Sequence, residues 1–237
     1  MKRAQWNIKN QATEAEVFLY DEIGEDWWGD GISAKGFIED LQALPASVEK
    51  IIVRINSPGG DVFDGFAIYQ ALLRDRREVV TAVDGLAASS ASVVMMAGDE
   101  INAAETAMVM IHEPWTIAIG NAADFRELAD LLDQITGQIV AAYGRRDGVD
   151  RDAIKEAMQA ETWYTATEAL EAGLVDTVTE AAVAVAAKVP PGRYANAPKR
   201  LIGSEPAPAK PQAAQKRLAA AKRALRLARL DKSGNVS

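Results

Sequence analysis

The chain has 237 residues, 49% of them hydrophobic and 25% charged, with a formal net charge of −8, one histidine and no cysteine. That length and apolar content suit one good-sized domain with an appendage, while the lack of cysteine excludes a disulfide framework, thiolate chemistry and a zinc-finger-type metal site. No run of eighteen apolar residues is present to span a membrane, and residues 1–10 are mixed and polar rather than signal-like. A soluble, cytoplasmic protein working without metal or cofactor is expected.

Charge divides the chain in two. Residues 1–180 carry 14 Lys+Arg against 32 Asp+Glu, whereas residues 181–237 carry 12 against 2. An acidic body and a separate basic tail follow from that opposition.

In chain order, Val17-Phe18-Leu19-Tyr20 reads as a first strand. A polar stretch holding Trp27 and Trp28 comes next; adjacent tryptophans could anchor an interface, but more often they cover a core. Ser33 precedes a helix over 34–44, with Phe37, Ile38, Leu41 and Leu44 at helical spacing and Pro45 beyond. Three short apolar runs then stand out as buried strands. Ile51-Ile52-Val53-Arg54-Ile55 ends in Asn56-Ser57-Pro58-Gly59-Gly60 and leads into a helix from Phe63 to Leu73. Val79-Val80-Thr81-Ala82-Val83 leads through Asp84-Gly85-Leu86 into a helix over 87–97, with a short strand or turn at 101–103. Ala107-Met108-Val109-Met110-Ile111 delivers His112-Glu113-Pro114. The alternation predicts an α/β fold with a mostly parallel sheet, whose strand ends line one edge where sites form.

Trp115 to Ile119 is a short β-prone run closed by Gly120-Asn121. Residues 122–143 repeat apolar positions every three and four, predicting a helix of about 33 Å, long enough to project and join subunits. Helices over 151–160 and 166–172 follow, then Gly173 and a strand at 174–178. Beyond 180, Ala, Pro and Lys dominate, with a basic amphipathic helix at 212–230. An inert or cleavable tail is the first reading of that region and an acidic protein partner the second. Nucleic acid comes last, because no aromatic residues interleave the charge.

His112 is the only histidine, so it is the only candidate imidazole base, although a lone histidine is more often structural. Ser89 follows a strand and opens a helix, where the N–H of Ser90 would point at an anion near the hydroxyl. Ser89, Ser90 and Ser92 could equally cap or pack a helix of small residues, and spacing leaves the choice of serine open. Gly59-Gly60 reads as an ordinary turn or as a second oxyanion donor, since glycine presents an N–H where a side chain would clash. Singly these signals are weak; in this order they point to acyl transfer.

Four segments carry a resemblance to a known family: Asn56-Ser57-Pro58-Gly59-Gly60, Gly85-Leu86-Ala87-Ala88-Ser89, Met110-Ile111-His112-Glu113-Pro114, and the run from Ala166-Thr167-Glu168-Ala169 to Gly173-Leu174-Val175-Asp176. Over roughly residues 15–180 the chain resembles the Clp-type serine peptidases of the ClpP/crotonase fold, built from repeated β-β-α units. The resemblance implies Ser89 as nucleophile and His112 as general base, with Gly60 and Ser90 donating the oxyanion-hole N–H groups. Thr116, Ile117, Ala118, Ile119 and Gly120 resemble the segment that holds a peptide as an added strand. Glu161 stands where the family usually has Asp, and Ser90-Ala91 where it often has Met-Gly.

The resemblance also implies a ring-shaped homo-oligomer, heptameric or stacked as two rings, with residues 122–143 as its intersubunit handle. The Trp-bearing stretch 23–30 and the basic tail look like the phage-encoded branch, the prohead or head-maturation proteases that trim scaffold and capsid proteins. Such a protein would work in the host cytoplasm or within the prohead. Three alternatives stand beside that assignment: a housekeeping proteolytic subunit served by an AAA+ unfoldase, a crotonase-type acyl-CoA enzyme, and a non-catalytic scaffold component. A Ser-Lys protease is disfavoured because no lysine lies between Lys50 and Lys155.

Overall fold

A computed structural model describes residues 6–8, 13–25, 31–180 and 189–202. Trp27, Trp28 and the 212–230 helix of the tail lie outside the described residues. Among those described, eight strands form one sheet, with β1 (Trp6–Ile8), β2 (Glu14–Leu19), β3 (Lys50–Ser57), β4 (Glu78–Ala88), β5 (Glu100–Ala104) and β8 (Thr177–Thr179) in that spatial order. Every pairing in this row is parallel except that of β1 with β2.

The long strand β4 serves two neighbours in succession, which positions the site. Its first half pairs β5 through Val80 to Val83, and its last residues, Leu86 to Ala88, pair β6 (Met108–Ile111). On its other side β6 carries β7 (Thr162–Thr165), running antiparallel. The sheet therefore branches at β4, and the C-terminal ends of β3, β4 and β6 converge.

Helices α1 (Ala34–Gln42), α2 (Val62–Leu73), α3 (Ser90–Met95), α4 (Ala122–Tyr143), α5 (Arg151–Gln159) and α6 (Ala166–Glu171) fill the connections. Except at α3, their starts follow from capping side chains that satisfy the first free N–H groups. Ser33 accepts from the Gly36 amide, Asp61 from Phe63 and Asp64, and Asn121 and Thr165 form capping boxes with Asp124 and Glu168. Phe37, Ile51, Val53, Ile55, Ile68, Leu72 and Ile101 lie fully buried in one continuous core.

Several boundaries differ from expectation. The helix expected from Ala87 begins at Ser90, because Leu86 to Ala88 bond to Met108 to Met110 and remain strand. Among the described residues the β-prone run at 115–119 pairs with no strand, and it lies exposed. At 174–178 only the end is strand: Gly173 turns with φ 72°, Leu174 and Val175 bury into the core, and pairing begins at Thr177. Residues 189–202, compositionally part of the tail, pack on the body, where Val189 and Tyr194 bury against Leu86, Ala88, Met108 and Met110.

Candidate active site

Ser89 sits between β4 and α3 with φ 56° and ψ −128°, a left-handed backbone that L residues rarely adopt. The kink is held from both sides: the Ser89 N–H donates to the Met110 carbonyl at 2.9 Å, and its own carbonyl accepts from the Ser92 amide at 2.9 Å. A strand passing abruptly into a helix in this way lifts the side chain clear of both elements. The Ser89 hydroxyl then lies 2.8 Å from His112 Nε2, a hydrogen-bonding distance.

The other two serines do different work. Ser92 is fully buried, and its Oγ bonds the Ser89 carbonyl at 2.5 Å, the Met110 carbonyl at 3.1 Å and the Tyr143 hydroxyl at 2.7 Å. It pins the turn. Ser90 Oγ is buried with no hydrogen-bond partner among the described residues, and the residue packs on Gly65, where a Cβ would come within 2.9 Å of Ser90 Cβ. Of the three, Ser89 alone meets the imidazole.

The glycine turn fits against this corner. Ser57 Oγ donates to the Asp21 carbonyl at 2.6 Å and accepts the Gly59 amide at 3.1 Å. Gly59 has φ 77°, and a Cβ there would fall 2.4 Å from the Ala88 carbonyl oxygen and 2.8 Å from Ser89 Cβ. Ile23 donates to the Gly59 carbonyl and accepts the Asp61 amide, at 3.0 and 2.8 Å. In extended chain, successive peptide groups alternate in direction, so Gly60's own N–H points away from Ile23, on the edge lining the cavity beside Ser89. Ser90 begins α3, and its N–H precedes the first intrahelical bond. Gly60 and Ser90 both line the cavity beside Ser89.

His112 leaves the end of β6. Burial lowers its pKa below the ordinary imidazole value; the Glu161 charge opposes that shift and Arg193 adds to it. Glu161 itself adopts φ 50°, and its carboxylate is engaged elsewhere. It accepts from the Ala195 amide at 2.9 Å, the Asn196 amide at 2.6 Å and Trp163 Nε1 at 3.3 Å. The expected acid thus reaches the imidazole through charge, while its hydrogen bonds go to Trp163, Ala195 and Asn196.

A cavity of about 340 Å³ opens beside the serine. Its floor is apolar, formed by Val93 and by Leu132, Ile135, Ile139 and Tyr143 of α4, and Thr116 stands at its rim. Ile117 and Ile119 are 83% and 56% exposed, so residues 116–120 present an open backbone next to the site. Among the described residues, no group of three or more His, Asp or Glu side chains is placed to hold a metal ion.

Sequence reasoning missed Arg193 and Tyr194, which also line the cavity. Tyr194 meets His112 edge-on, with ring centroids 5.2 Å apart and planes at 89°, and donates its hydroxyl to the Pro58 carbonyl. Its one sequence signal is that it is the sole aromatic residue beyond position 180.

A family model for Clp protease matches residues 2–182. Curated relatives include ATP-dependent Clp protease proteolytic subunit 1 of Prochlorococcus marinus, 33% identical over 171 residues, covering 70% of this chain and 85% of that protein. The protein of the same name from Protochlamydia amoebophila is 36% identical over 168 residues, covering 68% of this chain and 79% of the relative. That of Chlamydia muridarum is 32% identical over 165 residues, covering 68% and 83%.

Proposed function

The chain belongs to the Clp protease family of serine-type peptidases, and on that premise we propose that Ser89 is its nucleophile and His112 its general base. The observation that carries this reading is the 2.8 Å contact between Ser89 Oγ and His112 Nε2. His112 accepts the hydroxyl proton as Oγ attacks the peptide carbonyl. The tetrahedral oxyanion receives hydrogen bonds from the Gly60 and Ser90 amides, and His112 returns the proton to the departing amine. Water then attacks the Ser89 ester, with His112 taking its proton and restoring the hydroxyl. Losing one oxyanion donor from such a site costs about a hundredfold to a thousandfold in rate.

Glu161 is the orienting carboxylate in this scheme, and residues 116–120 bind substrate as an added strand. Support for the latter is their exposed, unpaired backbone at the rim of the cavity. The assembly is a ring of identical subunits. Its substrates are scaffold and capsid proteins trimmed during phage head assembly, a reading supported by the basic Ala/Pro-rich tail and the Trp-bearing stretch near the N-terminus. The named function of the relatives favours a second reading, a proteolytic subunit fed by an ATP-driven unfoldase.

Casein cleavage by single variants tests the chemistry. Ser89→Ala abolishes cleavage with little change in thermal stability. Ser92→Ala instead destabilises the fold by about 1–3 kcal/mol, because it strips the buried Tyr143 hydroxyl of its partner. Full activity in Ser89→Ala contradicts the assignment.

A further inference from the structure

The Ser89–His112 pair is partly covered by the chain itself. Residues 189–202 return from the region of tail composition, closed at their base by the Val189 amide donating to the Leu201 carbonyl at 2.8 Å. At the turn, Tyr194 is only 7% exposed. Its ring contacts His112 at one side, its hydroxyl bonds the Pro58 carbonyl ahead of the glycine turn, and it lines the same cavity as Ser89. A scissile carbonyl attacked by Ser89 must enter the space bounded by the imidazole, the serine and the glycine turn. Tyr194 touches the imidazole and the residue ahead of the glycine turn, and shares the cavity with the serine.

The next two residues act on the acid. The Ala195 and Asn196 amides both donate to Glu161, and the Asn196 side chain donates to the Ala160 carbonyl at 3.0 Å. Two backbone amides and an indole thus take three of the carboxylate's roughly four acceptor sites. Arg193 ties the same turn down on the opposite side through Glu22, at 2.7 Å.

Resting on the assignment of Ser89 and His112, we infer that residues 189–202 are an autoinhibitory strap: Tyr194 closes the reaction space while Ala195 and Asn196 hold Glu161 away from His112. The strap is fastened by Val189, Tyr194, Ala197 and Leu201 on the small cluster around Leu86 and Met110, by an ion pair and by hydrogen bonds at exposed or half-buried positions, all apart from the main core, so it can lift without disturbing that core. Lifting it opens the approach to Ser89 and frees the acid in a single movement.

The test follows the rate at which a small fluorophosphonate attaches to Ser89 in the full-length chain, read by intact mass, with Ser89→Ala as the blank. Tyr194→Ala is expected to label at least tenfold faster than the unaltered chain. Glu22→Gln, which removes the Arg193 anchor without touching the core, is expected to label severalfold faster. Labelling of the unaltered chain at the rate of both variants, or slower labelling in both, overturns the strap and leaves the assignment of Ser89 intact. Absence of label in every form overturns the strap together with that assignment.

Discussion

His112 is the residue on which the proposed chemistry turns, and its solitude makes it measurable. Burial and the Arg193 charge lower its pKa, with Glu161 opposing them, so the neutral ring that can accept a proton persists below the ordinary value of about 6.5. The sign for folding is the same: the contribution to stability is present above about 6.5 and is lost as pH falls through the lowered folded value. As the only histidine in the chain, it gives one imidazole resonance, expected to titrate below 6.5 in the unaltered protein and at higher pH in Tyr194→Ala, where burial is relieved. A midpoint above 6.5 in the unaltered chain contradicts this environment. The sequence exposed the histidine because nothing competed with it. It left Ser89, Ser90 and Ser92 undecided, because that choice depends on a positive φ at one residue and on a buried Tyr143 hydroxyl 51 residues away. Tyr194 was hidden by the low-complexity composition around it, which says nothing of where a single ring packs.

At the scale of elements, the site depends on the fit between the glycine turn and the corner from β4 to α3. Gly59 is the tightest point, since its φ of 77° disfavours any side chain and a Cβ would meet the Ala88 carbonyl at 2.4 Å. Gly59→Ala is therefore expected to cost about 2–4 kcal/mol in stability and to reduce cleavage at least a hundredfold by shifting the amides beside Ser89. A variant with unaltered midpoint in urea and unaltered rate contradicts the fit. The strands β3, β4 and β6 were legible because each is an apolar run closed by turn residues. The end of β4 was not, since Gly85-Leu86-Ala87-Ala88 suits strand or helix equally and only pairing with Met108 to Met110 decides it. β1 is only three residues long, too short for its pairing with β2 to leave a periodic trace.

For the molecule as a whole, α4 carries the clearest sign of assembly. Its fully buried residues begin at Ile135, and ahead of them apolar side chains are left showing. Phe125 is 49% exposed and Leu131 44%. Apolar side chains on a projecting helix are the expected means of joining subunits in the proposed ring, each buried phenylalanine contributing about 1.5–3 kcal/mol. Phe125→Asp is expected to shift sedimentation toward monomers while leaving the circular dichroism of the fold unchanged; an undiminished assembly contradicts that role. The length and spacing of this helix were legible from sequence. The return of residues 189–202 to the body was not, because net charge and proline content separate segments without saying which of them touch.

The most direct measurement maps the fluorophosphonate adduct by peptide mass in the unaltered chain and in Tyr194→Ala. The account predicts a single adduct, on Ser89, in both, and its loss when His112→Ala is added; an adduct on Ser90 or Ser92, or labelling that persists without the imidazole, contradicts it.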